Sequence, residues 1–407
     1  MLSPAPTVRS ADPLRSKGFV CVWNLNQPSI PQKILVCESQ PTCAAFGPNK
    51  ASLAVAATED GTCVLWDLRE SASLHTTECV GGVDYLLRHP TYSTDGIPAA
   101  NNHEAPVVSM SAIRSSSGSS AAAPAAASQS AAFQVATLDS SGVLKTWTVV
   151  ELRSADPTSL SQELGLLPGG QVKLSSSATL QLGVTKRMPA DVLQAFCFEL
   201  FPNTPNKLLV GTNQGKTLHA MRFGDRAAPR AFTAPNGSDV TSLNFSPYAP
   251  EYFLAGCSSG HVALYKVDAA DPVDKWVVPE FAANPWQQAS PGVTGVKWVQ
   301  WSKQRPGVFF VLDSAGILHI WDLLENINGP VLSEPLHTGP KGEDGEPPPN
   351  PKATAITSIS VNGTEKGSTL LVAYGSGGLN AHTLTQRFTQ IEDGELESLV
   401  SFLEDTL

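Results

Sequence analysis

A glycine followed five residues later by an aromatic residue recurs along this 407-residue chain, and no other feature limits the fold as much. The pairs are Gly18 and Trp23, Gly61 and Trp66, Gly142 and Trp147, Gly260 and Tyr265, and Gly316 and Trp321. Two weaker copies, around Gly215 and Gly377, keep the turn but place Ala220 and His382 at the aromatic position. In the segment ATEDGTCVLWDLRE the Asp60-Gly61 turn divides two apolar runs, and such a turn tolerates the positive φ of a tight hairpin. Seven copies of one hairpin imply a repeat architecture.

The complete copies also carry an upstream apolar or alternating run, as in PTCAAFGP, PVVSMSAI, DVTSLNFSPYAP and GVTGVKWVQWS. Strand, strand, tight turn, a strand ending in Trp-Asp and a looser outer strand together make the unit of a WD-type β-propeller blade. Marker spacings run from about 43 to about 81 residues, and most exceed the roughly 40 to 45 of that repeat. The excess reads as loop insertions. The Ala- and Ser-rich run near 111–132 offers too little apolar surface to offset its ordering entropy and is expected to be disordered. The proline-rich, charged run near 339–352 reads as an exposed connector. A third insertion, Glu151 to Ala190, contains LPGGQVKL, read as a short extra hairpin outside the blades.

Only 16% of residues are charged and 42% are hydrophobic, which suits strands buried between neighbouring blades. A chain of this length can bury roughly three quarters of its surface, and one multi-blade domain is favoured over several separate ones. The net charge of −10 argues against nucleic acid or an anionic membrane as principal partners, since both demand a basic surface. No run of about 18 apolar residues and no secretory h-region is found. Seven cysteines without a C-x-x-C pair point to a reducing compartment. The expectation is a soluble intracellular chain.

No constellation for chemistry emerges. GTNQGKT at 211–217 is one residue short of a phosphate loop and leads into a strand rather than a helix, so it lacks the helix N-terminus that holds phosphate. GCSSG at 256–260 matches a nucleophile elbow, but it too is a strand-to-strand turn, and Ser258 reads as a turn residue. His219, His319 and His382 lie on third strands of different blades and do not converge on one ion. The Trp and Tyr positions recur once per blade and are expected to pack between sheets. No enzyme activity, cofactor or metal is expected, and the reading is a binding scaffold.

Several longer segments are more specific than the repeat. VCVWNLNQPSIPQKILVCESQPTCAAF at 20–46, CVLWDLRE at 63–70, PTYSTDG at 90–96, LDSSGVLKTWTVVEL at 138–152, GLLPGGQVKL at 165–174 and FSPYAPEYFLAGCSSG at 245–260 resemble the WD-repeat intermediate chain of cytoplasmic dynein-2, the motor of retrograde intraflagellar transport. The resemblance covers nearly the whole chain and includes irregular segments outside the generic blade. It implies a noncatalytic subunit whose propeller docks on the tail of the dynein-2 heavy chain, beside a second, different intermediate chain. It also implies placement in the cytoplasm, the cilium and its base, and the cytoskeleton. In that family an extended N-terminal arm gathers the light chains. This sequence begins at about the third strand of a blade, so light-chain binding is expected to need an arm that it lacks. A generic WD scaffold, in ubiquitin ligation or trafficking, is the alternative.

The expected organisation is therefore all-β. It comprises a short disordered segment at 1–15, a WD-type propeller of about seven blades at 16–390, and a C-terminal amphipathic helix at 391–407. Leu396, Leu399, Val400 and Leu403 fall at i, i+3, i+4 and i+7 of that helix. The first blade is expected to hold only a third strand near Gly18–Leu25 and an outer strand near Lys33–Cys37, leaving a gap or strained edge beside the last blade. Aromatic and arginine residues in non-repeat loops are the default interface anchors, which singles out Arg88, Tyr92, Trp276 and Trp286 as partner-binding candidates. Packing against the chain's own surface is the competing reading for each.

Overall fold

The computed structural model describes residues 13–405 apart from 25, 28–29, 49, 81, 99–100, 114–132, 153–163, 183–192, 224–229, 280–293, 337–355, 365–366 and 375–378. The chain divides into two compact units, Met1–Val184 and Thr185–Leu407. The first holds β1 (Gly18–Val22), β2 (Lys33–Cys37), β3 (Pro41–Gly47), β4 (Lys50–Thr58), β5 (Cys63–Asp67), β6 (Thr76–Val80), β7 (Val83–Arg88), β8 (Tyr92–Ser93), β9 (Val107–Ile113), β10 (Gln134–Asp139), β11 (Val143–Glu151) and β12 (Val172–Gln181). The sheets are ordered β1-β2-β7-β6, β3-β4-β5-β8 and β12-β11-β10-β9.

The second unit holds β13 (Ala195–Leu200), β14 (Lys207–Thr212), β15 (Lys216–Met221), β16 (Arg230–Thr233), β17 (Val240–Phe245), β18 (Tyr252–Cys257), β19 (His261–Lys266), β20 (Asp274–Val277), β21 (Val296–Trp301), β22 (Val308–Asp313), β23 (Ile317–Asp322), β24 (Leu332–Pro335), β25 (Ile356–Thr364), β26 (Gly367–Tyr374) and β27 (Leu379–Thr383), then helix α1 (Glu395–Asp405). These strands form three four-stranded antiparallel meanders and one three-stranded sheet. The described residues thus build seven sheets and a short C-terminal helix, the all-β WD-type propeller fold that the repeat predicts. Among them no helix is long and apolar enough to cross a membrane.

The repeat works through its turn and its aromatic residue. Gly61, Gly142, Gly215, Gly260 and Gly316 all adopt positive φ, from 65° to 90°, at the turn between second and third strands, where a side chain would strain the backbone. Gly18 is different. It lies inside β1, and a Cβ there would come within 2.2 Å of the Ser39 carbonyl oxygen, so close approach rather than turn geometry requires it. Four of the five aromatic residues are buried in core clusters, as expected, whereas Trp23 is half-buried outside the strands. Trp66 joins Leu35 and Cys37 of the first sheet, Trp147 joins Leu53, Val55 and Leu65 of the second, and Trp321 packs with Leu254 and Leu264 of the neighbouring sheet. Two of these aromatics also stack on their cross-strand partner, Tyr265 on Phe253 at 5.0 Å and Trp321 on Phe309 at 5.4 Å. Such pairs add about 0.5–1.5 kcal/mol beyond their buried area.

Three sequence readings need correction. The first sheet contains its expected third and outer strands, β1 and β2, but two further strands complete it. The hairpin β6–β7, which leaves the second sheet after β5, pairs in parallel with β2 at Ile34–Leu87 and Leu35–Arg88. Secondly, VKL within LPGGQVKL begins β12, which pairs with β11 from Val143–Gln181 to Glu151–Val172. It is the outer strand of the third sheet, not an extra hairpin. Thirdly, Ser111–Ile113 of the Ala- and Ser-rich run belong to β9. The rest of that run, the connector at 339–352 and residues 1–12 lie outside the described residues.

Helix α1 splits the apolar face read from the sequence. Leu399 and Leu403 are buried in the core between the β17–β20 and β21–β24 sheets, whereas Leu396 and Val400 remain 45% and 38% exposed. The Tyr252 hydroxyl donates to the Leu403 carbonyl at 3.1 Å.

One half-buried carboxyl in this unit predicts a pH effect. Burial raises the pKa of Glu199, on β13, to about 7, against the opposing pull of Lys303. The folded chain therefore keeps a proton that the unfolded chain releases above its ordinary carboxylate pKa. Stability falls as pH rises through that window to about 7, then levels. Glu199→Gln should remove this slope and stabilise the unit at pH 8 by on the order of 2 kcal/mol. Urea midpoints at pH 5 and pH 8 check it; an unchanged slope in the variant refutes it.

Candidate partner-docking surface

The two irregular segments that stand outside the blade pattern meet on the first unit. Residues 90–96 and 164–170 are far apart in sequence, yet Tyr92 and Leu166 form a β-bridge. Ser93 N–H donates to the Gly165 carbonyl at 2.9 Å, and Leu167 N–H donates to that of Thr91, also at 2.9 Å. Gly165, with φ of 81°, makes this approach possible, because a Cβ on it would lie 2.2 Å from the Ser93 oxygen. Segment 164–170 is thus laid against β8 as an added edge.

Strand β8 has only two residues because threonine side chains take over the ladder at both ends. The N–H of Asp67 donates to Thr91 Oγ1 at 2.7 Å, and the N–H of Cys63 donates to Thr94 Oγ1 at 2.8 Å. Hydroxyls at these positions satisfy buried backbone donors that a longer strand would otherwise pair.

Beside this edge, Arg69 holds Asp67 through two bonds, Nε to Oδ1 at 2.9 Å and Nη2 to Oδ2 at 2.7 Å. The Asp67 carboxylate beside it, with Glu151 further off, holds the Arg69 pKa above its ordinary value. Glu151 of the third sheet is 3.0 Å from Lys50 and 3.4 Å from Arg69, so this ion network ties β4 and β5 to β11. It borders a cleft of about 510 Å³ lined in part by Glu70, Leu74, Gly169 and Val172.

A second cleft, of about 430 Å³, lies between the ends of the first two sheets and the paired irregular segments. Its lining includes Cys37, Val64, Leu166 and Pro168, with Glu38, Asp60 and Asp95. In Asp60, burial opposes ionisation, but bonds from the Thr58 hydroxyl and the Thr62 N–H outweigh it and hold the pKa below the usual carboxylate range.

Three of the four residues singled out from the sequence are buried in the chain's own packing. Arg88 is 9% exposed, and its Nη1 donates to the Glu70 carbonyl at 3.1 Å and lies 3.2 Å from His75 Nε2. Burial, then the Arg88 charge, lowers the His75 pKa, which keeps the ring neutral as an acceptor. Tyr92 is 4% exposed within the core of the second and third sheets. Trp276 is 5% exposed and donates its indole N–H to the Ile327 carbonyl at 2.6 Å. Trp286 lies outside the described residues. The sequence places the other three in loops, whereas they lie on β7, β8 and β20, and the competing reading, packing against the chain's own surface, holds for each. The cleft residues escaped notice because only the pairing of the two irregular segments brings them together.

Among the described residues, no group of three or more His, Cys, Asp or Glu side chains could hold a metal ion. The surface around the second cleft is partly apolar and lined by the carboxylates Glu38, Asp60 and Asp95.

No protein-family model matches the chain. It is 34% identical over 400 residues to mouse cytoplasmic dynein 2 intermediate chain 1, covering 94% of this chain and 38% of that protein. To the human protein of the same name it is 34% identical over 410 residues, covering 97% of this chain and 36% of the relative. Human cytoplasmic dynein 2 intermediate chain 2 is more distant, 23% identical over 335 residues, covering 78% of this chain and 53% of that protein. The chain therefore spans little more than a third of the length of the first two relatives.

Proposed function

This chain is a homologue of the WD-repeat intermediate chains of cytoplasmic dynein-2 along nearly its whole length, and on that premise we propose that it is a noncatalytic intermediate-chain subunit of the dynein-2 complex. Its blades bind the tail of the dynein-2 heavy chain and so support retrograde intraflagellar transport and cilium assembly. It works beside a second, different intermediate chain, in the cytoplasm, at the ciliary base and within the cilium. Light-chain capture belongs to an N-terminal arm of the kind seen in that family.

The observation that carries this reading is the extent of the similarity. At 34% identity over more than nine tenths of the chain, it reaches well beyond what a shared blade pattern would require, since unrelated functions share propeller folds. A generic WD scaffold would account for the sheets but not for this match.

Co-purification of this chain with a dynein-2 heavy-chain tail fragment tests the proposal. Capture of the heavy chain is the expected result. A demonstrably folded chain that captures no heavy chain would reject the docking role.

A further inference from the structure

We propose that the cleft between the ends of the first two sheets and the paired irregular segments is a docking site for a basic, extended segment of a partner protein. The inference concerns the chemistry of the occupant and does not rest on the heavy-chain assignment.

The cleft is partly apolar, and acidic at its edge. Its accessible apolar lining is the half-buried Leu166 and Leu167 and the exposed Pro168, whereas Val64 and Cys37 are 3% and 1% exposed. One wall is fixed by the backbone bonds between 91–93 and 165–167. It is fixed further by the contact of Gly96 with Gly165, where a Cβ on Gly96 would lie 2.8 Å from the Gly165 backbone. A wall so constrained is already in place before binding, which spares the ordering cost that weakens association with mobile loops.

Charge selects the occupant. The carboxylates of Glu38, Asp60 and Asp95 line the cleft, and His89 is its one basic lining residue. Lys17 is bonded to Glu38, and the His89 ring lies 3.0 Å from the Thr76 hydroxyl. Asp60 is held ionised by its bonds to Thr58 and Thr62. A segment with lysine or arginine directed to Asp60 and Asp95 meets opposite charge, while Glu38 shares its charge with Lys17, and in an extended chain alternate side chains point opposite ways. One set can therefore rest on the apolar lining while the other reaches the acidic edge.

The probe is a fluorescein-labelled synthetic peptide alternating arginine with valine or leucine, titrated with the full chain at 0.15 M salt and followed by anisotropy. Saturable binding is expected, weakened at least tenfold by Glu38→Lys together with Asp95→Lys. The same charge change on the second unit, Glu251→Lys with Glu334→Lys, should alter it less than twofold. Ser39→Trp, which fills the cleft without changing charge, should also weaken binding tenfold while leaving thermal unfolding unchanged. The proposal is overturned if the peptide does not bind, if the second-unit control weakens it as much as the cleft variant, or if folded Ser39→Trp binds as well as the original chain.

Discussion

Replacing Asp139 with alanine is expected to cost about 4 kcal/mol, enough to bring the first unit close to unfolding. Asp139 ends β10 at 1% exposure. Its Oδ1 accepts from the N–H of Ser141 at 3.0 Å, the hydroxyl of Ser141 at 2.7 Å and the N–H of Val143 at 2.9 Å. Its Oδ2 lies 2.8 Å from His103 Nδ1. The chain of bonds continues from His103 Nε2 to Thr137 Oγ1 at 2.7 Å, and Trp147 donates to the same oxygen at 2.9 Å. One carboxylate thus sets the turn at Gly142, the tautomer of a buried histidine and, through it, the repeat's own tryptophan.

Alanine at this position strands several buried donors together, each costing about 1–3 kcal/mol when unpaired, although effects within one network do not add. Asp139→Asn keeps Oδ1 for the turn and presents an amide to His103, so a smaller loss of about 2 kcal/mol is expected. The pH dependence has a definite sign. Burial raises the Asp139 pKa, but the bonds from His103, Ser141 and Val143 outweigh it and leave the group below its ordinary value. Its stabilisation is therefore complete above the unfolded carboxylate pKa and is lost as pH falls through the lower folded value. Urea unfolding of the alanine and asparagine variants provides the measurement. An alanine variant within 1 kcal/mol of the parent would refute the argument.

The turn chemistry at Asp139 is also the part of the fold that local sequence reports best. Except at Gly18, glycine five residues before an aromatic marks a positive-φ turn and an inward ring within one hairpin, and both are local properties. Strand β12 was hidden for the opposite reason. Its middle, Ser175–Ser177, is exposed on an outer strand, so no apolar alternation marks it. The hairpin β6–β7 was legible as neither blade nor loop, because what fixes it is a parallel pairing to β2, more than 50 residues away. The docking cleft was the least legible. Its walls come from residues near 37, 60, 95 and 165, and the only local hint was that PTYSTDG and LPGGQVKL show no blade-strand pattern, although they hold β8 and the start of β12. Arg88, Tyr92 and Trp276 read as loop residues in the sequence, yet they lie on β7, β8 and β20, short strands that no apolar alternation marks.

Arg305→Ala should release helix α1 from the second unit and destabilise that unit by about 3–5 kcal/mol. The Arg305 guanidinium is 11% exposed and holds two carboxylates, Asp322 at 3.0 Å and Glu395 at 2.7 Å, which are 0% and 4% exposed. It also donates to the Arg387 carbonyl. Asp322 follows the aromatic residue of the repeat, and Glu395 opens α1, where its other oxygen accepts from the N–H of Glu392 at 2.9 Å. A single cation therefore joins the repeat's aspartate to the first turn of the helix, where negative charge is also favoured by the helix dipole. Removing it leaves two buried carboxylates without their counter-charge, which is costlier than losing an exposed ion pair. The apolar anchors Leu399 and Leu403, with the Tyr252 bond to the Leu403 carbonyl, would then have to hold α1. Arg305→Met combined with Glu395→Gln and Asp322→Asn should recover much of the loss, because it removes the stranded charges as well as the cation. Proteolysis near Gly394 and urea unfolding distinguish the cases: cleavage should appear in Arg305→Ala and largely disappear in the triple variant. If α1 stays protected in Arg305→Ala and stability is unchanged, apolar packing and the Tyr252 bond retain the helix, and the ion cluster has no holding role.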